Sequence, residues 1–179
     1  MKNFFSFPEL INEPAARLVA SGVLLMSLAS IVLISLEIDS VLIILLTMAY
    51  GFLARVSSGP KVSPLALLVT KFIIPKSNFE EKLVPGAPKR FAQSVGLVFS
   101  TSILILWLVD LGTLSVVLLS ILSLFAFLES VVGYCFGCKV FKVLISIGIV
   151  PQEICEPVSY THLRAHETRH DLVCRLLLE

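Results

Sequence analysis

The chain has 179 residues, of which 56% are hydrophobic and 15% are charged, and its mean hydropathy is +0.95. Soluble globular domains contain about 25% charged residues, so this composition excludes an ordinary water-soluble domain and favours an integral membrane protein. The net charge is +1 and no basic run is interleaved with aromatic residues, and we therefore predict no nucleic-acid partner.

Four apolar runs, each bounded by charged residues, make up most of the chain. A helix needs roughly 20 residues to cross the hydrocarbon core of a bilayer, and a helix satisfies its own backbone hydrogen bonds there. We therefore predict an all-α fold, an integral membrane four-helix bundle of two hairpins in contact with the lipid bilayer. The predicted spans are residues 17–37, 38–54, 91–109 and 112–133.

The second span is the shortest, because its uncharged run covers only residues 40–54. It reaches spanning length when Ile38 and Asp39 lie at one interface and Arg55 extends its long side chain toward the headgroups at the other. A re-entrant helix is the alternative.

The loop at residues 55–90 separates the two hairpins and is rich in Lys and Arg. The opposite connections, near residues 37–39 and 110–113, carry acidic residues and no basic ones. Because positively charged loops stay in the cytoplasm, we predict that both termini and this loop face the cytoplasm, an N-in/C-in topology. Prolines in the loop interrupt helices, so we expect turns around one short helix on the membrane surface.

A similar pattern opens the first and third spans. Arg17 and Ser21 have the same spacing as Arg90 and Ser94, and each of the two apolar runs then ends near an acidic residue. The pattern indicates two related hairpins, that is, an internal repeat. Convergent chemistry at two similar membrane interfaces is the alternative.

The motif GYCFGC at residues 133–138 places two cysteines where the fourth span meets the cytoplasm. Thiols at this spacing close a disulfide or chelate a soft metal ion, and the neighbouring Lys139 favours the thiolate that either role requires. We take Cys135 and Cys138 as candidate catalytic residues, with Cys138 attacking and the deeper Cys135 resolving. The alternative is that both are small buried residues that pack the bundle end.

Glu129 precedes the cysteine pair on the same predicted helix, inside or just under the headgroup layer. An ionisable group at this depth indicates function, and the spacing puts Glu129, Val132 and Cys135 roughly along one helical face. We expect Glu129 to be a third catalytic residue that accepts a thiol proton as a relay. A cap or a partner for a basic residue is the alternative role.

A zinc site is the alternative role for the cysteines. Cys155 follows Cys138 at a spacing found in zinc-binding proteins, so Cys135, Cys138 and Cys155 supply three metal ligands. The fourth cysteine of such a site is expected at position 158, where the chain has Val158. Zinc is therefore a cofactor only under this alternative.

Four segments together carry a resemblance to a known family. They are PAAR at residues 14–17, the Gly-Pro and Ser-Pro pairs within residues 59–64, PKRFAQ at residues 88–93 and GYCFGC at residues 133–138. The chain resembles the bacterial membrane family catalogued as domain of unknown function 4395. The resemblance implies a multi-pass, four-helix protein of the bacterial cell inner membrane with a cysteine pair near the end of its last span, and it implies no activity.

Residues 157–179 differ in composition from the rest of the chain and contain all of its histidines. This segment resembles the translation of sequencing-adapter or vector DNA, so we exclude it from functional reasoning. Its HETRH sequence at residues 166–170 matches the H-E-x-x-H pattern of zinc metalloproteases. A short terminal segment lacks the buried helix, the further ligand and the substrate cleft that such an enzyme needs.

Two functional hypotheses follow. In the first, the protein is a membrane thiol–disulfide or sulfur-handling component whose cytoplasmic-side cysteines exchange electrons with a thioredoxin-like cytosolic protein. In the second, it is a non-catalytic bundle whose cysteines bind zinc or pack, and which acts through a protein partner. Small residues in the first and third spans fit close helix contacts and hence an oligomer.

Overall fold

The computed structural model describes residue 8, residues 10–76 and residues 82–148. Within this part the chain is almost entirely helical, with one pair of short strands. The helices are α1 (Glu13–Ser35), α2 (Val41–Ser58), α3 (Pro64–Leu68), α4 (Gly86–Leu108), α5 (Gly112–Phe127) and α6 (Phe136–Ser146). The strands are β1 (Leu10–Asn12) and β2 (Leu83–Pro85).

Two helical hairpins, α1–α2 and α4–α5, interlock to form a bundle. α1 packs mainly on α5, and α2 packs mainly on α4, so each hairpin closes against the other. The core between them is formed by Val23, Val41, Leu45, Met48, Phe52, Ile103, Leu119, Leu122 and Ala126. This arrangement confirms the predicted all-α four-helix bundle.

The outer surface of the bundle is apolar. Leu25, Ile43 and Val98 are among many large hydrophobic side chains that remain exposed there, and an apolar surface of this kind is typical of contact with lipid. Four helical stretches are long and apolar enough to cross a membrane, and they are Glu13–Ser35, Val41–Ile73, Gly86–Leu108 and Gly112–Val132.

The two hairpins begin in the same way. β1 pairs with β2 in antiparallel register, with Ile11 opposite Val84 at the centre of the pair. α1 follows β1 directly and α4 follows β2 directly, and both helices are 23 residues long. The two hairpins therefore start side by side from one antiparallel strand pair.

The two hairpin turns are also built alike. Glu37 and Asp110, which occupy corresponding positions, both adopt the left-handed conformation, with φ of 55° and 58°. In each turn the following residue donates its N–H to a carbonyl in the last turn of the preceding helix. Non-glycine residues rarely adopt this conformation, so its occurrence at both positions supports the internal repeat over convergent chemistry.

The arginines of the repeated pattern have corresponding partners. Arg17 on α1 donates to the carbonyls of Ser130 (3.3 Å) and Val131 (2.8 Å), just beyond α5. Arg90 on α4 donates to the carbonyl of Val56 (3.2 Å), near the end of α2. Each arginine therefore satisfies carbonyls at the C-terminal end of the other hairpin's second helix, where backbone acceptors lack helical partners.

The described part of the segment between the hairpins contains the short helix α3. α3 packs against α1, where a Cβ on Gly22 would lie 2.8 Å from the Leu65 side chain. The same segment also contains β2, which the sequence did not predict, because a three-residue strand has no detectable periodicity.

Candidate functional site

The helix that carries Glu129 ends before the cysteine pair. α5 gives way to a wider turn at Leu128–Val132, and Gly133 adopts a left-handed conformation with a φ of 75°. The chain is extended at Cys135 and enters α6 at the next residue. The expectation that Glu129, Val132 and Cys135 share one helical face is therefore wrong, because glycine tolerates the backbone conformation that breaks the helix.

Close packing of α6 on α4 positions the cysteines. A Cβ on Gly137 would lie 2.6 Å from both the Cα and the Cβ of Ala92, so only glycine allows this approach. The ring of Phe136 stacks on that of Phe125 at 4.7 Å between centroids, and the rings of Phe91 and Phe141 lie 5.5 Å apart. α6 is thereby held against the end of the bundle at which α4 begins.

Cys135 and Cys138 form a close pair. The Cys138 thiol donates a hydrogen bond to the sulfur of Cys135, with 2.8 Å between the two Sγ atoms. Both cysteines are free thiols and partly buried. The first turn of α6 therefore brings together the two residues that the motif predicted as a pair.

The two thiols differ in acidity. The hydrogen bond from Cys138 lowers the pKa of the Cys135 thiol, and the ammonium of Lys89 acts in the same direction. The same hydrogen bond, together with burial, raises the pKa of the Cys138 thiol. Cys135 also precedes the N-terminus of α6, where the helix dipole favours negative charge. These directions favour Cys135 as the thiolate, whereas the sequence analysis took Cys138 as the attacking thiol; which cysteine attacks stays a prediction.

Glu129 forms an ion pair with Lys89. Lys89 Nζ lies 2.7 Å from Glu129 Oε1, and the two side chains are only 10% and 17% exposed. This contact gives Glu129 the alternative role considered above, that of a partner for a basic residue. It also places a buried ammonium close enough to both cysteines to affect their charge.

Lys139, the cation nearest to the motif in sequence, takes a different position. Its side chain is exposed, and its Nζ lies 5.7 Å from the centre of the Tyr134 ring. The cation that influences the thiols is therefore Lys89, which reaches them from α4.

Arg55 points into the bundle. The residue is 5% exposed, and its guanidinium carbon lies 4.3 Å from the centre of the Phe52 ring. Its Nε and Nη1 atoms have no hydrogen-bond partner among the described residues. The expectation that Arg55 extends toward the headgroups is therefore wrong, because the aromatic face of Phe52 and the negative charge of Glu129 attract it inward.

A cavity of about 70 Å³ lies between the hairpins at this end of the bundle. Arg55, Gln93, Glu129 and Cys135 line it, and the remaining wall is apolar, formed by small and aliphatic residues and four phenylalanines. The Oε1 atom of Gln93 is buried and has no hydrogen-bond partner within the part of the chain that the structure describes. One small space thus brings a cysteine, a carboxylate and an arginine together.

The zinc hypothesis stays a prediction. Among the described residues there is no group of three or more His, Cys, Asp or Glu side chains that could hold a metal ion. Cys155 and residues 157–179 lie outside the described residues.

The sequence analysis did not identify Lys89, Gln93 and Arg55 as site residues. Lys89 and Gln93 are both part of the PKRFAQ segment, and their spacing of one helical turn was the signal available for them. The sequence did not indicate that Arg55 is buried at the site, because its burial depends on packing between helices that are distant in sequence.

Comparison with known proteins gives one match. Residues 11–146 match the model of a protein family described as a domain of unknown function (DUF4395). No curated protein and no solved structure is significantly similar to the chain.

Proposed function

Because this chain belongs to the DUF4395 family, a domain of unknown function, we propose its role from the site itself: a thiol–disulfide component of the bacterial inner membrane. The four apolar helices support the membrane location. The acidic Cys135 thiol, the adjacent Cys138 and the buried Lys89 support the chemistry.

The proposal depends above all on the contact between the two sulfurs. They lie 2.8 Å apart, and a disulfide bond is about 2.05 Å long. Small movements of the two side chains therefore bring the sulfurs to bonding distance, without any rearrangement of α6.

The electron-exchange partner in this proposal is a thioredoxin-like cytosolic protein. The segment between the hairpins is rich in Lys and Arg, which supports a cytoplasmic position for the end of the bundle that carries the cysteines. The cytosol keeps thiols reduced, so a structural disulfide is not expected there. A cysteine pair that cycles between dithiol and disulfide there needs a partner protein with which it exchanges electrons.

The proposed exchange proceeds in two steps. The Cys135 thiolate attacks a disulfide of the partner, forms a mixed disulfide and releases one partner thiolate. Cys138 then loses its proton and attacks Cys135 Sγ, which closes the Cys135–Cys138 disulfide and releases the second partner thiolate. Two electrons pass to the partner, and the reverse sequence reduces the protein again.

In this scheme Lys89 stabilises a thiolate and Glu129 accepts a proton. The Lys89 ammonium stabilises the Cys135 thiolate, and the Glu129 carboxylate, which lines the same cavity as Cys135, accepts the proton released from Cys138. Their ion pair, with 2.7 Å between Lys89 Nζ and Glu129 Oε1, positions both side chains at this largely buried site.

The test is a redox titration in native membranes. The protein is equilibrated at a series of glutathione potentials, quenched with acid and labelled with a maleimide of high mass. We expect two thiols to disappear together in a two-electron transition. Cys135→Ser and Cys138→Ser should each abolish the transition, whereas Cys155→Ser, outside the pair, should leave it unchanged.

Two results would contradict the proposal. The first is a pair of thiols that stays reduced at every potential from the reducing to the oxidising limit. The second is stoichiometric zinc in the purified protein that is lost in both Cys135→Ser and Cys138→Ser, which would support the non-catalytic, metal-binding alternative.

A further inference from the structure

The cavity beside Cys135 combines a small volume with a buried arginine, two of whose N–H donors lack a hydrogen-bond partner among the described residues. Its volume is about 70 Å³, and one water needs about 10–15 Å³ in the same measure. The space therefore fits a molecule of roughly four or five heavy atoms and excludes a large aromatic or sugar ligand.

Arg55 is this buried arginine. Its Nε and Nη1 donors are buried and have no hydrogen-bond partner among the described residues. The ring of Phe52 covers a face of the guanidinium, but a contact with a face leaves the N–H groups, which lie in the guanidinium plane, without acceptors. A buried cation in this state is unfavourable unless an anion meets those donors.

The charges around the cavity do not balance. Arg55 and Lys89 bring two positive charges, whereas Glu129 brings one carboxylate, and the Lys89 ammonium already occupies one oxygen of that carboxylate at 2.7 Å. With both cysteines protonated, Arg55, Lys89 and Glu129 together carry an excess positive charge in largely apolar surroundings.

We propose that this cavity binds a small oxyanion, held by the Arg55 guanidinium next to the sulfur of Cys135. A planar anion such as nitrate, formate or bicarbonate matches both the volume and the planar donor set of arginine. Gln93 adds a second polar contact, because its unpartnered amide can turn its NH2 group toward the anion. The inference does not depend on electron exchange by the cysteines.

The test measures thermal unfolding of the purified full chain in detergent, with nitrate or formate as the probe. Ionic strength is held constant with gluconate, which is too large for the cavity. We expect a saturable rise in Tm, about 5–10 °C when the probe is at ~100 times its Kd. Sulfate, which is larger and tetrahedral, should give a smaller rise.

Variants assign the effect to Arg55. Arg55→Gln should abolish the saturable rise, and Arg55→Lys, which keeps the charge but loses the planar donors, should weaken the apparent affinity about tenfold. Arg90→Gln is the matched control, since it removes an exposed arginine from the same end of the bundle and should respond to nitrate as the wild type does.

A second measurement does not require the Arg55 variants to fold. Nitrate bound beside Cys135 should slow its alkylation by iodoacetamide, a neutral reagent, in the wild-type protein and in Arg90→Gln. The proposal is overturned if nitrate changes neither Tm nor alkylation in the wild type. It is equally overturned if Arg55→Gln responds to nitrate as the wild type does.

Discussion

Lys89 links the carboxylate and the thiols of the site. Its ammonium is 2.7 Å from Glu129 Oε1, and it lowers the pKa of the Cys135 thiol by stabilising the thiolate. The Glu129 carboxylate acts in the opposite direction on Cys135. Because the two groups oppose each other at Cys135, removing Lys89 alone tests the effect of the cation on the thiol.

The single variant Lys89→Met, which leaves Glu129 in place, should slow the alkylation of Cys135 by iodoacetamide. Charge partners at short range shift a pKa by about one unit or more, so we expect a rate about tenfold lower at pH 7 and a pH profile shifted to higher pH. The modified cysteine is identified by mass spectrometry of the peptide.

The matched control for that variant is Lys139→Met. Lys139 is the cation nearest to the motif in sequence, but its side chain is exposed beside the Tyr134 ring. In Lys139→Met we expect the rate of alkylation of Cys135 and the pH profile of that rate to stay as in the wild type. A larger loss in Lys139→Met than in Lys89→Met would contradict the assignment of Lys89.

At the scale of elements, the apolar runs and their lengths were enough to predict α1, α2, α4 and α5, since a helix in lipid must satisfy its own hydrogen bonds. The end of α5 was not predictable in the same way. Gly133 interrupts the helix by its φ of 75°, and the preceding apolar run gave no sign of where the interruption falls. The cysteine pair could be predicted as a pair, but its place at the start of α6 could not.

Gly137→Ala should disturb the packing of α6 on α4. The added Cβ would lie 2.6 Å from the backbone of Ala92, so α6 must shift outward. We expect the free energy of unfolding to fall by about 1–3 kcal/mol, as in other overpacked sites.

Gly112→Ala provides the comparison for this effect. The nearest atom to a Cβ on Gly112 is 3.8 Å away, in the Trp107 side chain, which is an ordinary contact. This variant should unfold at the wild-type temperature or slightly above it. Equal destabilisation of the two variants would show that close approach at Gly137 is not what holds α6.

At the scale of the whole molecule, the site lies where the two hairpins meet. Arg55 comes from α2, Lys89 from α4 and Glu129 from the turn beyond α5, so residues far apart in sequence form one cluster. The sequence indicated the repeat through its arginines and serines, and the structure adds a second shared feature. Ser27 and Ser100, at corresponding positions, are fully buried and each donates to a carbonyl of its own helix.

The repeat predicts that both hairpin turns lie on the same side of the membrane. Each half begins at the β1–β2 pair and returns to that end, so Glu37 and Asp110 are at the opposite end of the bundle. In a background without native cysteines, Glu37→Cys and Asp110→Cys should react with a membrane-impermeant maleimide added to intact cells. Lys71→Cys, in the basic segment between the hairpins, should react only after the cells are opened.

The three labelling results distinguish fold from orientation. If Glu37→Cys and Asp110→Cys react from opposite sides, the hairpins do not both span the bilayer, and the four-span arrangement is wrong. If both react only in opened cells while Lys71→Cys reacts in intact cells, the bundle is inserted with the reverse orientation. The cysteine pair would then face an oxidising compartment, where a thioredoxin-like cytosolic partner cannot reach it.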